Sequence, residues 1–243
     1  MTALGLDVAR IRAITLDLDD TLWPIWPTIQ RAEDALSAWL STHAPRTAAL
    51  ARNPDTRQRA REQVLADRPA QAHDLATIRR EAIRQLLTWA GDAPLLAEPA
   101  FEVFYAERQR VTLFTDALPA LAALSARYPV VALSNGNADV HRVGIGQFFR
   151  GAVNATQIGV GKPDRRIFTA AAQAAGVPES AVLHVGDDAH LDGAGALAAG
   201  MQVAWINRGG EHWPAAIPGR PHAVAADMRA LCVLLGAETA HQD

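Results

Sequence analysis

The chain has 243 residues, 49% of them hydrophobic and 20% charged, with a net charge of −3. Those values describe a globular protein with one large or two unequal domains and exclude a disordered chain. No basic stripe of the kind that binds nucleic acid or an anionic membrane is present, because the arginines are interspersed with acids along helical segments.

Cys232 is the single cysteine, so an intramolecular disulfide and a cysteine-based zinc site are both excluded. In the apolar run ALCVLL it reads as a small core residue. The opening MTALGLDVARIRAI lacks the basic, apolar and small-residue succession of a secretory signal. No window approaches the roughly 18 uninterrupted apolar residues of a membrane span. The expectation is a soluble cytoplasmic protein that meets no membrane.

In chain order, residues 11–18 (IRAITLDL) read as a short buried strand that ends in acids. From about Thr28 to Arg110 the pattern turns helical, with breaks at HAPR, NPD, DRPA and GDAP, and suggests about four helices and no strand. After Val111 strands and helices alternate: YPVVALS, a helix, GAVNATQIG, the helix DRRIFTAAAQAAG, AVLHVGD, a helix through GALAAGM, and QVAWINR. RGGEHWPAAIPGRPHAV reads as a surface loop leading to a last strand and helix, and the tail from Ala237 as polar and prone to fray.

This alternation predicts an α/β fold: a Rossmann-like, doubly wound parallel sheet whose ligands lie beyond the carboxyl ends of its strands. Residues 1–22 and 113–243 form the predicted core. Residues 23–112 are predicted to be a helical cap inserted after the first acidic motif.

Four polar clusters fall at predicted strand ends or helix starts: Asp17, Asp19 and Asp20 in LDLDDTLW; Ser134 and Asn135 in ALSNGN; Lys162 in GVGKPD; and Asp187, Asp188 and Asp192 in HVGDDAHLD. In a parallel sheet those ends share one edge. Carboxylates gathered there repel one another unless a cation lies between them, and an all-oxygen donor set favours Mg²⁺. A lysine and hydroxyl facing the cation suit a phosphate group. Lys162 is moreover the single lysine among 23 lysines and arginines. A compact ammonium where every other cation is a planar guanidinium suggests a specific task.

DLDDTL, LSNG, GKP and GDDAHLD, in this order, resemble the four motifs of the haloacid dehalogenase-like hydrolase superfamily, most of whose members are Mg²⁺-dependent phosphatases. The resemblance spans the whole predicted core. It implies that Asp17 is a nucleophile forming an aspartyl-phosphate and that Asp19 is the general acid and base, its backbone carbonyl also reaching the metal. Thr21 would tie down the loop, and Ser134, Asn135 and Lys162 would bind the phosphoryl group. Asp17, Asp19, Asp187 and Asp192 would form the metal site, with Asp188 a rival to Asp192 as its second acid. Asp20 is assigned no chemistry, and Asp116 and Asp139 read as helix caps.

An acid two residues after the nucleophile also separates phosphatases from the dehalogenases of this superfamily, whose halide leaving group needs no proton. The implied partner is a small-molecule phosphate ester.

For specificity, Trp23 and Trp26 in LWPIWP have two readings: faces that stack on a planar ring, or packing of the hinge between core and cap. Arg79 and Arg80 either reach substrate or line a cap helix. SNGNA, GVGKPDRRIF and LHVGDDAHLDGAGALAAGMQVAWI further resemble bacterial FMN phosphatases, which implies FMN or a phosphorylated riboflavin precursor as substrate. A sugar-phosphate or nucleotide phosphatase of broad specificity is the enzymatic alternative. A non-catalytic binding protein on the same fold is the alternative of another class.

Overall fold

Ala13–Leu16 carries no charge, is buried throughout and pairs with a strand on either side, as an inner strand of a parallel sheet must. In the computed structural model, which describes residues 2–3 and 5–237, it is the second of seven strands. These are β1 (Thr2–Ala3), β2 (Ala13–Leu16), β3 (Val130–Ser134), β4 (Gly151–Asn154), β5 (Val182–Gly186), β6 (Gln202–Ile206) and β7 (Ala223–Ala225).

They form one sheet in the order β1-β7-β6-β5-β2-β3-β4. The pairings among β2 to β7 are parallel, and β1 joins β7 antiparallel at the edge. From β2 the sheet grows through β3 and β4 on one side, then returns to add β5, β6 and β7 on the other. Loops leaving β2, β3 and β5 therefore diverge at one point, where such sheets bind ligands.

Five helices follow β2: α1 (Ile25–His43), α2 (Pro45–Ala51), α3 (Pro54–Asp67), α4 (Leu75–Ala90) and α5 (Ala97–Arg108). They belong to a compact unit, Ile25–Val111, while the sheet unit comprises the chain up to Pro24 and from Thr112 onward. Leu36 and Leu40 of α1, Ile83 and Leu87 of α4 and Phe101 and Phe104 of α5 form the buried centre of this helical cap. Local signals set the helix ends: Asn53 and Asp74 cap α3 and α4, and Gly91 closes α4 in the left-handed conformation.

The sheet unit contains α6 (Ala117–Ser125), α7 (Val140–Val143), α8 (Ala155–Ile158), α9 (Arg165–Ala175), α10 (Gly195–Ala199) and α11 (Met228–Leu234). Helix α9 turns Ile167, Phe168, Ala171, Ala172 and Ala175 onto Val131, Leu133, Val153 and Val182 of the sheet. Its small residues bring the helix close to the strands.

Two predicted elements are shorter than expected. GAVNATQIG divides into β4 and α8, because Asn154 and Gln157 form a reciprocal capping box that starts a helix there. The helix after ALSNG is the single turn α7, capped by Asp139 and ended by Gly144. The edge strand β1 had no signal in its sequence. Of the polar tail, residues 238–243 lie outside the described residues.

Candidate active site

Strands β2, β3 and β5 end together: Leu16 lies opposite Ala132 on one side and Val185 on the other. The Asp17 N–H still donates to the Val185 carbonyl at 2.9 Å, so the first acid is held by the ladder itself. Ser134 ends β3, and Asp187 follows Gly186 at the end of β5.

Here the Lys162 ammonium donates to Asp17 Oδ1 and, at 2.6 Å, to Asp192 Oδ1. Lys162 is 6% exposed, Asp17 6% and Asp192 2%. An ion group this dry persists only when each charge has partners. Carboxylate oxygens of Asp17, Asp187 and Asp192 lie within 4.8 Å of one another. Asp192 thus joins the cluster, whereas Asp188 turns its carboxylate to the N–H groups of His190 and Leu191, at 2.7 and 2.8 Å, and caps the wide helical turn Ala189–Ala194. Asp192 Oδ2 accepts from the Asp188 N–H at 3.1 Å.

The electrostatics of the cluster are unbalanced. Burial raises the Asp17 carboxyl well above its ordinary value, and repulsion from Asp192 and Asp187 adds to this against the attraction of Lys162. Asp187 is pushed up to about 7 by burial and then by Asp192. Asp192 stays low, because Lys162 and His184 outweigh the effect of burial. Burial alone would lower Lys162, but Asp17 and Asp192 raise it. Three clustered carboxylates facing one ammonium leave negative charge that no side chain in the cluster neutralises. A divalent cation fits that donor set, being hard, oxygen-seeking and of the missing charge.

Neighbouring groups hold these side chains in place. Thr21 Oγ1 donates to Asp187 Oδ1 at 2.8 Å. Asn135 does not point its amide outward: Nδ2 donates to the Lys162 carbonyl at 2.9 Å and Oδ1 accepts from the Lys162 N–H at 2.6 Å. Its side chain thereby serves as a strut for the lysine loop. Ser134 Oγ accepts from the Gly136 N–H at 2.9 Å, which leaves its hydroxyl proton to donate.

The tryptophans behave differently from each other. Trp23 is fully buried and donates from Nε1 to Asp19 Oδ1 at 2.8 Å, so of its two readings the structure favours packing. Trp26, at the start of α1, is 76% exposed. Asp19 is half-buried, and its carboxylate is not among the three clustered ones. In the cap, Arg79 pairs with Glu33 and lies 4.1 Å over the Phe104 ring; Arg80 pairs with Glu98 at 3.1 Å and lies 4.7 Å over Phe101. Both arginines are engaged along the cap helices. Asp116 occupies the N-cap position of α6 but makes no side-chain cap, since its carboxylate accepts from Arg208 at 2.7 and 3.1 Å and from the Met228 N–H at 2.8 Å.

Two supporting residues escaped the sequence reading. His184 is fully buried between Thr15 Oγ1, 2.9 Å from Nδ1, and Asp192 Oδ1, 3.0 Å from Nε2. The carboxylate assigns the proton to Nε2, so Nδ1 accepts from the threonine. A polar residue inside the apolar strand LHVG was the available signal, because a buried imidazole requires partners. Trp205 donates to the Asp187 carbonyl at 2.7 Å, a contact between strand ends that no local pattern announces.

A sequence profile described as haloacid dehalogenase-like hydrolase matches residues 11–200. The chain is 34% identical over 203 residues to the 5-amino-6-(5-phospho-D-ribitylamino)uracil phosphatase YigB of Escherichia coli (strain K12), covering 82% of this chain and 84% of that one. It is 37% identical over 138 residues to a phosphoserine phosphatase of Thermus thermophilus, covering 54% and 55%. The crystal structure of a 2-haloacid dehalogenase from Pseudomonas syringae pv. Tomato DC3000 superposes with a TM-score of 0.88 at 36% identity, over 93% of this chain and 98% of the other. Among the described residues no helix is long and apolar enough to cross a membrane.

Proposed function

Since the chain belongs to the haloacid dehalogenase-like hydrolase family and has phosphatases among its relatives, we propose that it hydrolyses phosphate monoesters through Asp17, with a 5-phosphoribityl compound as substrate. The observation that carries this reading is the ion group at the strand ends: one buried lysine between Asp17 and Asp192, with Asp187 alongside.

Asp17 attacks phosphorus, the bond from phosphorus to the ester oxygen breaks, and the electron pair leaves on that oxygen. Asp19 transfers its proton there and releases an alcohol. Water then attacks the aspartyl-phosphate, gives its proton to Asp19, and the bond from phosphorus to Asp17 breaks to free orthophosphate. Lys162 and Ser134 bind the phosphoryl oxygens, and Lys162 offsets charge that spreads over them in the transition state. Asp17, Asp187 and Asp192 would hold Mg²⁺, which when bound supplies positive charge to Asp17 and to the phosphoryl group.

The specific substrate is supported by the likeness to a phosphatase of a phosphoribityl ester. FMN carries the same 5-phosphoribityl chain, and both are candidate substrates. Phosphoserine, nucleotides and sugar phosphates are the alternatives. The likeness to the 2-haloacid dehalogenase favours a second reaction, displacement of halide from a 2-haloacid. Asp19 argues against it, since a halide leaves without a proton whereas an alkoxide needs one.

The test is release of orthophosphate from 4-nitrophenyl phosphate, FMN, the phosphorylated ribitylaminouracil, phosphoserine, nucleotides and sugar phosphates with Mg²⁺ and with EDTA, alongside chloride release from 2-chloropropionate. Mg²⁺-dependent phosphate release that Asp17→Asn abolishes is expected. Both ribityl esters at the bottom of the ranking would remove the specific substrate, and chloride release alone would remove the phosphatase reading.

A further inference from the structure

Strand β6 (QVAWI) supplies no carboxylate to the cluster at the strand ends, yet two contacts from its end converge on Asp187. Trp205 lies opposite Gly186 in the ladder, is buried, and donates from its indole to the Asp187 carbonyl at 2.7 Å. The ring is held edge-on against Trp213, with centroids 5.3 Å apart, and Trp213 in turn covers Gly193, where a Cβ would collide with it. Three residues further on, Arg208 donates to the Thr21 carbonyl at 3.0 Å, and Thr21 Oγ1 donates to Asp187 Oδ1 at 2.8 Å. Arg208 is itself fixed, since both its terminal nitrogens donate to Asp116 and its guanidinium lies 3.8 Å over the Phe114 ring. Asp187 is thus held at its main chain by Trp205 and at its carboxylate by Arg208 acting through Thr21.

We propose that Trp205 and Arg208 are positioning residues for the metal: they fix the direction of the Asp187 carboxylate and so set the affinity of the cluster for Mg²⁺. Oxygens of Asp17, Asp187 and Asp192 lie within 4.8 Å of one another, a spacing that like charges oppose. Asp187 stands at the end of β5 where the loop begins, and is the least buried of the three. Without anchors it is the carboxylate that swings outward. Mg²⁺ tolerates little departure from its preferred geometry, so a ligand that must first be brought back into place weakens binding. Partners that hold a ligand from behind are worth about 10- to 100-fold in metal affinity. Here both anchors come from one strand end, so the fold that places β6 beside β5 also aims the acid.

The inference rests on the reading that these carboxylates hold Mg²⁺, and the experiment separates the two. The readout is the Mg²⁺ dissociation constant of the free protein, from calorimetric titration with MgCl₂ at fixed ionic strength, beside the urea midpoint of each variant. Trp205→Phe is expected to raise the constant about tenfold or more, and Arg208→Met about threefold or more. Val203→Ala, a cavity in the same strand that touches no member of the cluster, is expected to lower the urea midpoint and leave the constant in place. Because Arg208 acts through Thr21, adding Arg208→Met to Thr21→Val should raise the constant by less than about twofold over Thr21→Val alone. Should Trp205→Phe fold poorly, 3-benzothienylalanine at position 205 removes only the N–H; should Arg208→Met do so, Arg208→Lys keeps a charge for Asp116 and loses the arm to Thr21. The same rises are expected. A constant within about twofold of wild type in the Trp205 or the Arg208 variant, with a clear rise in Asp187→Asn, overturns the role of that residue and leaves the metal reading intact. An equal rise in Val203→Ala overturns positioning in favour of general loss of structure, and a full additive effect in the double variant overturns the route through Thr21. No Mg²⁺ uptake by the wild-type protein overturns the metal reading and the positioning role together.

Discussion

Asn135 grips Lys162 by both of its backbone groups, donating to the carbonyl at 2.9 Å and accepting from the N–H at 2.6 Å. The end of β3 thereby sets the position of the one lysine in the chain. Gly161 makes room for the contact, since a Cβ there would lie 2.7 Å from Asn135 Oδ1. Asn135→Ala leaves two backbone groups to find water instead, at a cost of about 1 to 2 kcal/mol in stability. Because the lysine loop then loses its anchor, kcat/KM for 4-nitrophenyl phosphate should fall about 10- to 100-fold, more than that loss of stability alone explains. Urea denaturation and steady-state kinetics on the same preparation check both.

Lys162→Arg keeps the charge and should still fail. The ammonium fits between Asp17 and Asp192 at 3% side-chain exposure, a space without room for a planar fork. Activity is expected to drop about a hundredfold or more, while the far-ultraviolet circular dichroism spectrum is retained.

Mg²⁺ should stabilise the protein, because Asp17 and Asp187 are strained by their own repulsion and burial. At a concentration about 100 times its dissociation constant the gain is about 2.7 kcal/mol, read as a rise in Tm that EDTA reverses. Asp187→Asn, which removes one of the clustered carboxylates, should reduce the rise to less than half.

Gly186→Ala tests how closely β5 approaches the acid that pairs with the lysine. A Cβ at this position would collide with the Asp192 carboxyl group. Asp192 cannot swing away cheaply, since Lys162, His184 and the Asp188 N–H all hold it. Loss of about 2 kcal/mol or more in urea is expected together with weaker inhibition by orthophosphate.

Asp116 supplies a pH dependence away from the reacting groups. Burial would raise its carboxyl, but Arg208 and the Met228 N–H together hold it below the ordinary value. A group depressed in the folded state stabilises it fully above the unfolded value of about 3.9, and this contribution is lost as pH falls through the folded value. Asp116→Asn should therefore lower the urea midpoint at pH 7 and approach the wild-type midpoint as the pH drops below about 4.

The alternation of apolar strand and helix after Val111 made the parallel sheet legible, because side-chain periodicity is a local property of the chain. The strand ends were legible through their acids, which a buried strand accepts only at an edge open to ligand. The bracing contact of Asn135 was not legible because its two side-chain groups are used by a backbone 27 residues away, and sequence shows the donor but not the partner. His184 was overlooked for a similar reason: its partners are Thr15 on the neighbouring strand and Asp192 beyond the next turn.

By itself, then, the sequence determined which residues carry charge at the strand ends, and that a single lysine stands among them. Only the tertiary structure decided between neighbours in the chain. It turned Asp188 to a helix cap and Asp192 to the lysine, and it buried Trp23 against Asp19 while leaving Trp26 exposed. The physical reason is that residues a few positions apart differ little in local propensity. Their directions are fixed by turns such as the left-handed one at Asp20 and by partners that the fold brings from distant strands.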